Sequence, residues 1–264
     1  MSVSSIFRWQ DGALEALDYC DMTATLIEAA DSWLVTDGLT LALDLHRARF
    51  FDAVGARFPD LNASDFWDAA IAAIPDTGTW FPRVELHSRA GAPSFVFRLR
   101  SAPERRRSAV VATWHGPDPR RTPRVKGPDL ERLSRARTAV QSEGADEAVL
   151  LTTDGYVVEG AYSALLWWRG EILCAPPASF ARVDSVTARS VLTLARALGH
   201  DLHEEAVTPA ELDGTELWTL SALHGIRIVT AWIDGPQLAE LPGRLGAWRA
   251  RLDALRRPIH RPAQ

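Results

Sequence analysis

The spacing of hydrophobic positions in the first half of the chain predicts a mixture of helices and strands. Apolar residues on both sides of Asp37–Gly38 predict a tight hairpin, because this dipeptide suits a two-residue turn. Residues 45–54 place apolar side chains on one face of a helix, whereas residues 84–87 and 94–99 alternate as paired strands do. The first half is therefore predicted to contain both kinds of element.

The second half is predicted to contain the same two kinds of element. Pro128 opens a predicted helix with one apolar face, and Gly199 ends another that begins near Ser185. The other predicted elements are strands at 148–152, 156–159, 165–168, 172–174, 217–220 and 226–233 and a closing helix at 238–255.

A proline-rich segment separates the two halves. Residues 115–123 contain three prolines, which interrupt a helix and a central strand alike. We interpret this segment as a linker and predict two domains, a smaller α/β domain at 1–120 and a larger one at 121–264. Residues 256–264, rich in Arg and Pro, are predicted to form a loosely held terminus.

Composition argues against several classes of protein. The 264 residues suffice for two modest domains, and a net charge of −5 with a pI near 5.8 argues against nucleic-acid binding, which needs a basic surface. No stretch has the apolar length of a membrane helix, and the first ten residues lack a signal-peptide pattern. Cys20 and Cys174 are isolated and the seven histidines show no ligand spacing. We therefore expect reduced cysteines, no metal site and a cytoplasmic location.

Lys126 is the single lysine among 29 basic residues, so the other 28 are arginines. An arginine stays protonated and cannot form an imine, whereas a partly desolvated lysine can. The count alone leaves two interpretations equally open: a lysine kept for covalent chemistry, or one that escaped drift. The residues around Lys126 decide between them.

Motifs with a characteristic spacing follow this lysine. Gly144–Ala148 comes first, and Asp154–Gly160, which contains Glu159, comes next. The combination resembles the class IV aminotransferases, the fold-type IV pyridoxal-phosphate enzymes that include branched-chain aminotransferase, D-amino acid aminotransferase and aminodeoxychorismate lyase. The segments that resemble further motifs of the family are His46–Arg49, Val186–Thr187, Ser221–Leu223 and Ile226–Val229.

The resemblance implies a set of cofactor contacts. Lys126 would bind pyridoxal 5'-phosphate as a Schiff base and act as the general base. Glu159 would pair with the pyridine nitrogen, although a glutamate at a strand end also occurs on solvated surfaces. The residues implied as phosphate partners are Arg49, Val186, Thr187, Ser221 and Ala222. An ordinary helix-face arginine is the alternative for Arg49, and an ordinary loop is the alternative for Ser221 and Ala222.

The resemblance also implies a fold and an activity. The implied fold is α+β, with two domains of mixed sheets and the cofactor in the interdomain cleft, and the implied assembly is a homodimer. The implied reaction moves an amino group between an amino acid and a 2-oxo acid. The alternatives are elimination of the aminodeoxychorismate lyase kind, which forms 4-aminobenzoate and pyruvate, and a non-catalytic relative that binds the cofactor or a partner.

The substrate side departs from the family. Ala188, Ala164 and Leu130 stand where the family carries Arg, Asn and, in some members, Tyr. The candidates for substrate contacts are therefore less typical residues: Ser32, His224 and Arg227. The cofactor side is predicted to be intact in outline, and the substrate is not specified by these motifs.

Overall fold

The computed structural model describes residues 4–17 and 26–259, so Cys20 lies outside the described residues. Within the described residues, Cys174 is a buried free cysteine. No helix in the described part of the chain is both long enough and apolar enough to cross a membrane.

The chain divides into two compact units. The first comprises Met1–Glu104, Val125–Pro128 and Leu255–Gln264, and the second comprises Arg105–Arg124 and Asp129–Ala254. The short middle segment carries the single lysine, which therefore belongs to the first unit. The domain boundary at residue 120 stays a prediction.

The first unit is built on an antiparallel sheet of five strands. These are β1 (Ser4–Gln10), β2 (Ala13–Ala16), β3 (Leu26–Ser32), β7 (Arg83–Arg89) and β8 (Ala92–Arg100), in the order β2-β1-β8-β7-β3. A second, small sheet has the order β17-β5-β4-β6 and contains β4 (Val35–Thr36), β5 (Leu39–Thr40), β6 (Thr79–Trp80) and β17 (Arg257–Pro258). Helices α1 (Leu43–Arg57) and α2 (Ser64–Ala72) complete this unit.

The predicted hairpin lies between β4 and β5. Asp37 has φ 46° and Gly38 has φ 70°, so both turn residues adopt the left-handed conformation that a tight hairpin of this type requires. The two strands predicted at 84–87 and 94–99 are β7 and β8, and they pair directly. These three predictions are confirmed.

One face of the five-stranded sheet packs against the two helices. The rings of Phe66 on α2 and Phe95 on β8 stack at 4.7 Å between centroids, and Phe50 of α1 lies beside both. Because side chains alternate along a strand, the apolar Val84 and Leu86 on this face leave the odd-numbered residues of β7 on the other. The opposite face of β7 is therefore polar.

The second unit contains a mixed sheet of eight strands in the order β11-β10-β9-β16-β15-β12-β13-β14. The strands are β9 (Ser108–Thr113), β10 (Glu147–Leu151), β11 (Val157–Gly160), β12 (Ala164–Arg169), β13 (Ile172–Ala175), β14 (Leu202–Glu204), β15 (Glu216–Ser221) and β16 (Gly225–Ile233). The helices are α3 (Leu130–Gln141), α4 (Val186–Ala197) and α5 (Arg244–Asp253). The predicted α+β class is confirmed, although only the sheet of the second unit is mixed and the strands of the first unit pair antiparallel throughout.

Strand β9 lies inside the sheet, between β10 and β16, and is parallel to both. The sequence pattern does not predict this strand. Its short apolar run lacks alternation, because a strand inside a sheet is buried on both faces, and arginines and prolines surround it.

Candidate active site

The peptide group of Lys126 is fixed against β3. Its carbonyl oxygen accepts a hydrogen bond of 2.7 Å from the amide of Ala30. Gly127 follows with φ +131°, and a Cβ placed there would lie 2.5 Å from the Ala30 nitrogen and 2.7 Å from the carbonyl carbon of Ala29. Only glycine permits this approach, so the backbone that carries the lysine is held by β3.

A buried ion cluster joins the end of β3 to α1. The fully buried Asp31 carboxylate accepts two bonds of 2.8 Å from Arg49, one from Nε and one from Nη2. His46 Nδ1 lies 2.8 Å from the same carboxylate, and the Ser32 amide donates to it at 2.7 Å. The cluster therefore brings together two residues of the His46–Arg49 motif and adds Asp31, which no sequence motif indicates.

The charges of this cluster follow from its burial. Burial raises the pKa of Asp31, but Arg49 and His46 outweigh that effect and hold it well below its usual range. Burial lowers the pKa of His46, Asp31 opposes this, and the positive charges of Arg49 and Lys126 lower it further. His46 is therefore neutral at pH 7, and its Nδ1 donates to the ionised Asp31, which can only accept.

The polar face of β7 and β8 carries a second buried cluster, which we call the arginine face: Arg83, Glu85, His87, Arg98 and Arg100. Glu85 is fully buried and receives bonds from Arg83, from Arg98 Nε at 2.9 Å and from His87 Nε2 at 2.8 Å. Burial and the neighbouring Arg83 lower the pKa of Arg100 to about 10. Arg83 and Arg98 bind the Glu85 carboxylate, whereas Arg100 donates to the Phe81 carbonyl, so the three guanidinium groups give this face an excess of positive charge. Ser32 lies directly opposite Arg83 in the β3–β7 register.

Glu159 lies on β11 in the second unit, with both carboxylate oxygens bound. Arg120 Nη1 lies 2.5 Å from Oε1, and the amide of Val183 donates to Oε2 at 3.3 Å. Burial raises the pKa of Glu159 to about 7, and Arg120 opposes this rise. The side chain is 8% exposed, so the solvated-surface alternative does not describe its surroundings.

The segment predicted as a linker forms a hydrogen-bonded loop that supplies Arg120. Its guanidinium binds the Asp118 carboxylate through Nε at 2.9 Å and Nη2 at 2.8 Å, and Nη1 also donates to the Ala181 carbonyl at 2.8 Å. Asp129 orders the next turn by accepting bonds from Thr122. Prolines prevent a helix or strand here, but Asp side chains stabilise turns without either. Arg120 was therefore not predicted from the sequence, because it lies in a segment without a regular element.

The implied phosphate partners of the second unit lie at a helix start and a hairpin. Val186 and Thr187 begin α4, whose N-cap Ser185 accepts from the Ala188 amide at 3.2 Å. Ser221 ends β15, where its hydroxyl accepts from the His224 amide at 3.3 Å, and Ala222 follows in the turn. Helix α4 packs against strand β15, which ends at Ser221. Amides at the start of a helix attract anions.

Two of the predicted substrate residues have structural partners. Arg227 is buried, its Nη2 lies 3.9 Å from Glu147, and its Nε has no hydrogen-bond partner among the described residues. Burial and Arg227 lower the pKa of His224 to about 4, so this histidine is neutral at pH 7. Its Nδ1 accepts from the Arg106 amide at 3.2 Å. Neither residue offers an accessible cation in this arrangement.

Comparisons with known proteins agree on one family. The profile of amino-transferase class IV matches residues 28–232. The branched-chain-amino-acid aminotransferase of Escherichia coli K12 is 24% identical over 146 residues, which is 54% of this chain and 47% of that protein. The chain therefore spans about half the length of the curated relatives that it matches.

Solved structures share the fold over nearly the whole chain. A fold IV transaminase from Curtobacterium pusillum has a TM-score of 0.78 at 18% identity, covering 96% of this chain and 99% of its own. The branched-chain aminotransferase of Thermoproteus uzoniensis with norvaline has a TM-score of 0.79 at 17% identity, covering 97% and 100%. A hypothetical aminotransferase from Mycobacterium tuberculosis, in its PLP-bound form, has a TM-score of 0.76 at 17% identity, covering 96% and 98%. The predicted fold type is confirmed, and the chain belongs to the class IV aminotransferase family, whose cofactor is pyridoxal 5'-phosphate.

Proposed function

We propose that this chain is a pyridoxal 5'-phosphate-dependent aminotransferase that moves an amino group between an amino acid and a 2-oxo acid. The observation that carries the proposal is Glu159, a buried carboxylate at the family's acidic position whose orientation is fixed by Arg120. A buried carboxylate of this kind fits a protonated ring nitrogen. Family membership supports the reaction class.

The donor set fits the proposed cofactor. An aromatic phosphate ester with a ring nitrogen needs an amine for covalent attachment, an acid for the nitrogen and donors for the phosphate. Lys126 would supply the amine and Glu159 the acid. The first amides of α4, the Ser221–Ala222 turn and the Arg49 guanidinium would bind the phosphate. The location of the cofactor in an interdomain cleft stays a prediction.

Each residue has a defined task in this proposal. The cofactor withdraws electrons from the α-carbon of a bound amino acid when its ring nitrogen is protonated. Glu159 holds that proton at the ring nitrogen, and Arg49 orients the phosphate end. The Lys126 amine, once released from covalent attachment, would take up the proton from the α-carbon and deliver it to the cofactor carbon that carried the imine. Asp31 keeps the Arg49 side chain in one orientation through two hydrogen bonds.

The arginine face favours transamination over elimination. A transaminase must bind two substrates in turn through their shared α-carboxylate, so it needs a fixed cation. Arg227 is only 5% exposed and His224 is neutral, whereas Arg83 and Arg98 remain 21% and 15% exposed although they bind Glu85. The arginine face would therefore supply the positive charge for this purpose. Ser32, the residue suggested for an eliminating enzyme, lies beside Arg83 in the register.

A half-reaction tests the proposed activity. Purified protein loaded with cofactor and mixed with pooled L- and D-amino acids is expected to give the pyridoxamine form, and a 2-oxo acid is expected to restore the starting spectrum. Pyruvate release from aminodeoxychorismate without any pyridoxamine form would instead identify the lyase. A protein that retains the cofactor but converts neither substrate class would identify the non-catalytic relative. A homodimer and a cytoplasmic location stay predictions that follow from the family resemblance.

Replacing Arg49 with methionine is expected to weaken cofactor binding. The substitution removes a charge-assisted contact to the phosphate, which corresponds to about a ten- to hundredfold increase in Kd. Fluorescence titration of the cofactor into the apo protein measures this change. Arg47→Met on the same helix is the matched control, since Arg47 is exposed and packs over Phe51 at 4.2 Å. Equal cofactor affinity in the two variants would show that Arg49 does not bind the phosphate and that its role is to pair with Asp31.

A further inference from the structure

Arg120 and Glu159 form an ion pair that is nearly sealed from water. The Arg120 side chain is 4% exposed and that of Glu159 is 8% exposed. Their contact is short, 2.5 Å from Nη1 to Oε1, and the Val183 amide binds the other oxygen at 3.3 Å. The carboxylate therefore has a fixed plane, and two fixed donors face it.

Arg120 itself has little freedom to leave this position. Asp118 binds its Nε and Nη2, and the Ala181 carbonyl accepts from the same Nη1 that contacts Glu159. The guanidinium is thus held on three sides by groups of one loop and its neighbours. A planar guanidinium held in this way orients a carboxylate better than a flexible ammonium would.

We propose that Arg120 is a positioning residue that keeps Glu159 ionised and aimed at the ring nitrogen of the cofactor, and so keeps the proton on that nitrogen. This inference rests on the proposed function, since it assigns a partner to the residue that would bind the ring. It gives the proline-rich loop between β9 and α3 a role in the chemistry of the site.

The electrostatic reason is that the Glu159 carboxylate would lie between the Arg120 guanidinium and the ring nitrogen. Two states compete when a carboxyl group meets a pyridine nitrogen, because the proton resides either on the oxygen or on the nitrogen. A guanidinium in contact with the carboxylate stabilises the ionised oxygen more than it repels the more distant nitrogen. Arg120 therefore favours the proton on the ring. Without it, only the Val183 amide and the charge of Arg182 oppose the effect of burial on Glu159, and the proton is expected to shift toward the carboxyl group.

A titration of the apo protein tests whether Arg120 keeps Glu159 ionised. The carboxyl carbon of Glu159, labelled with carbon-13, reports its protonation by NMR as the pH changes. Arg120→Met is expected to raise the midpoint by about one to three pH units, the usual effect of one adjacent charge. Arg120→Lys, which keeps the charge without the planar contact, is expected to give a smaller rise. Arg121→Met is the matched control, because Arg121 is exposed and its backbone amide, which the substitution keeps, donates to Asp129 at 3.0 Å.

A nitrogen-15 label in the cofactor ring tests whether Arg120 keeps the proton on the ring nitrogen. In the wild-type holoenzyme the ring nitrogen is expected to give the signal of a protonated pyridine. Arg120→Met is expected to move that signal toward the unprotonated position, and Arg120→Lys is expected to move it less. In a Glu159→Gln background the ring is already unprotonated, so the added Arg120→Met substitution is expected to change nothing further. This non-additivity separates an effect through Glu159 from a general loosening of the site.

The outcomes separate this inference from the proposed function. If the protein binds the cofactor through Lys126 but the nitrogen-15 signal of the ring is the same in the wild type and the Arg120 variants, the positioning role is wrong and the proposed function stands. An unchanged Glu159 midpoint in both Arg120 variants would also overturn the inference, without any need for the cofactor. If no cofactor binds at all, the proposed function fails, while a raised midpoint in the apo variant would still establish the ion pair.

Discussion

Lys126→Ala is expected to abolish the amino-acid half-reaction, with a fall of at least about a thousandfold. The substitution removes covalent attachment and also the general base, and general-base catalysis alone contributes roughly 10²–10⁴-fold. Stopped-flow measurement of pyridoxamine formation gives the rate. Borohydride reduction followed by peptide mapping gives the attachment site. Because the chain has one lysine, a modified side-chain amine has a single possible location.

Lys126→Arg is the control for charge in this experiment. It keeps a cation near His46, whose pKa responds to that charge, but a guanidinium cannot form the imine. Both variants are expected to fold, because the anchor to β3 uses the carbonyl of residue 126 and the glycine after it. A colourless wild-type protein that takes up no added cofactor would end the proposal, as would a reduced adduct at any other residue.

Glu159→Gln is expected to retain measurable cofactor binding but to lower turnover by roughly ten- to a thousandfold, since the amide no longer holds the ring proton. The phosphate and lysine contacts are separate from this position, so Kd should change far less than kcat. Single-turnover kinetics with saturating amino acid measure the loss. Glu205→Gln provides a matched carboxylate that binds Arg169 at 2.6 Å instead. Unchanged turnover in Glu159→Gln would remove this residue from the site.

The same substitution changes how the stability of the apo protein depends on pH. The pKa of Glu159 is raised by burial from 4.5 to about 7, so the folded state binds a proton that the unfolded state has already lost. Its contribution to the free energy of unfolding is fully present below pH 4.5 and is lost as pH rises to about 7. Glu159→Gln removes this loss, so denaturant midpoints of the two proteins should diverge between pH 4.5 and 7.

Local patterns predicted the regular elements well where the signal was periodic. The Asp37–Gly38 hairpin, the β7–β8 pair and helices α3 and α4 follow from turn residues, alternation and caps within each segment. Strand β9 has no such period, because its burial depends on neighbours that are distant in sequence. The closing helix was predicted too long: α5 starts at Arg244, after a turn at Gly243.

Residues of the candidate site were predictable only where the family resemblance marks them. Arg49 and Glu159 were named from motifs, but their partners Asp31 and Arg120 come from other segments and have no motif of their own. Arg227 shows the opposite case. Its place in the sequence favoured a substrate contact, yet its guanidinium lies beside the buried Glu147. Which arginines are buried together depends on strand register, and the spacing of one chain segment does not specify that.

Residues 256–264 were predicted to be loosely held, but residues 257–259 are bound to the first unit, and residues 260–264 lie outside the described residues. Strand β17 pairs with β5, and the Ile259 amide donates to the Gly38 carbonyl at 2.9 Å while its side chain enters the hydrophobic core. Residues 255–259 leave the ribosome after every residue of the second unit. During synthesis the core and the small sheet of the first unit therefore remain incomplete until the residues of the second unit have been synthesised. Release of a truncated product that ends before residue 255 would leave the lysine-bearing unit open to proteolysis, whatever the state of the other unit.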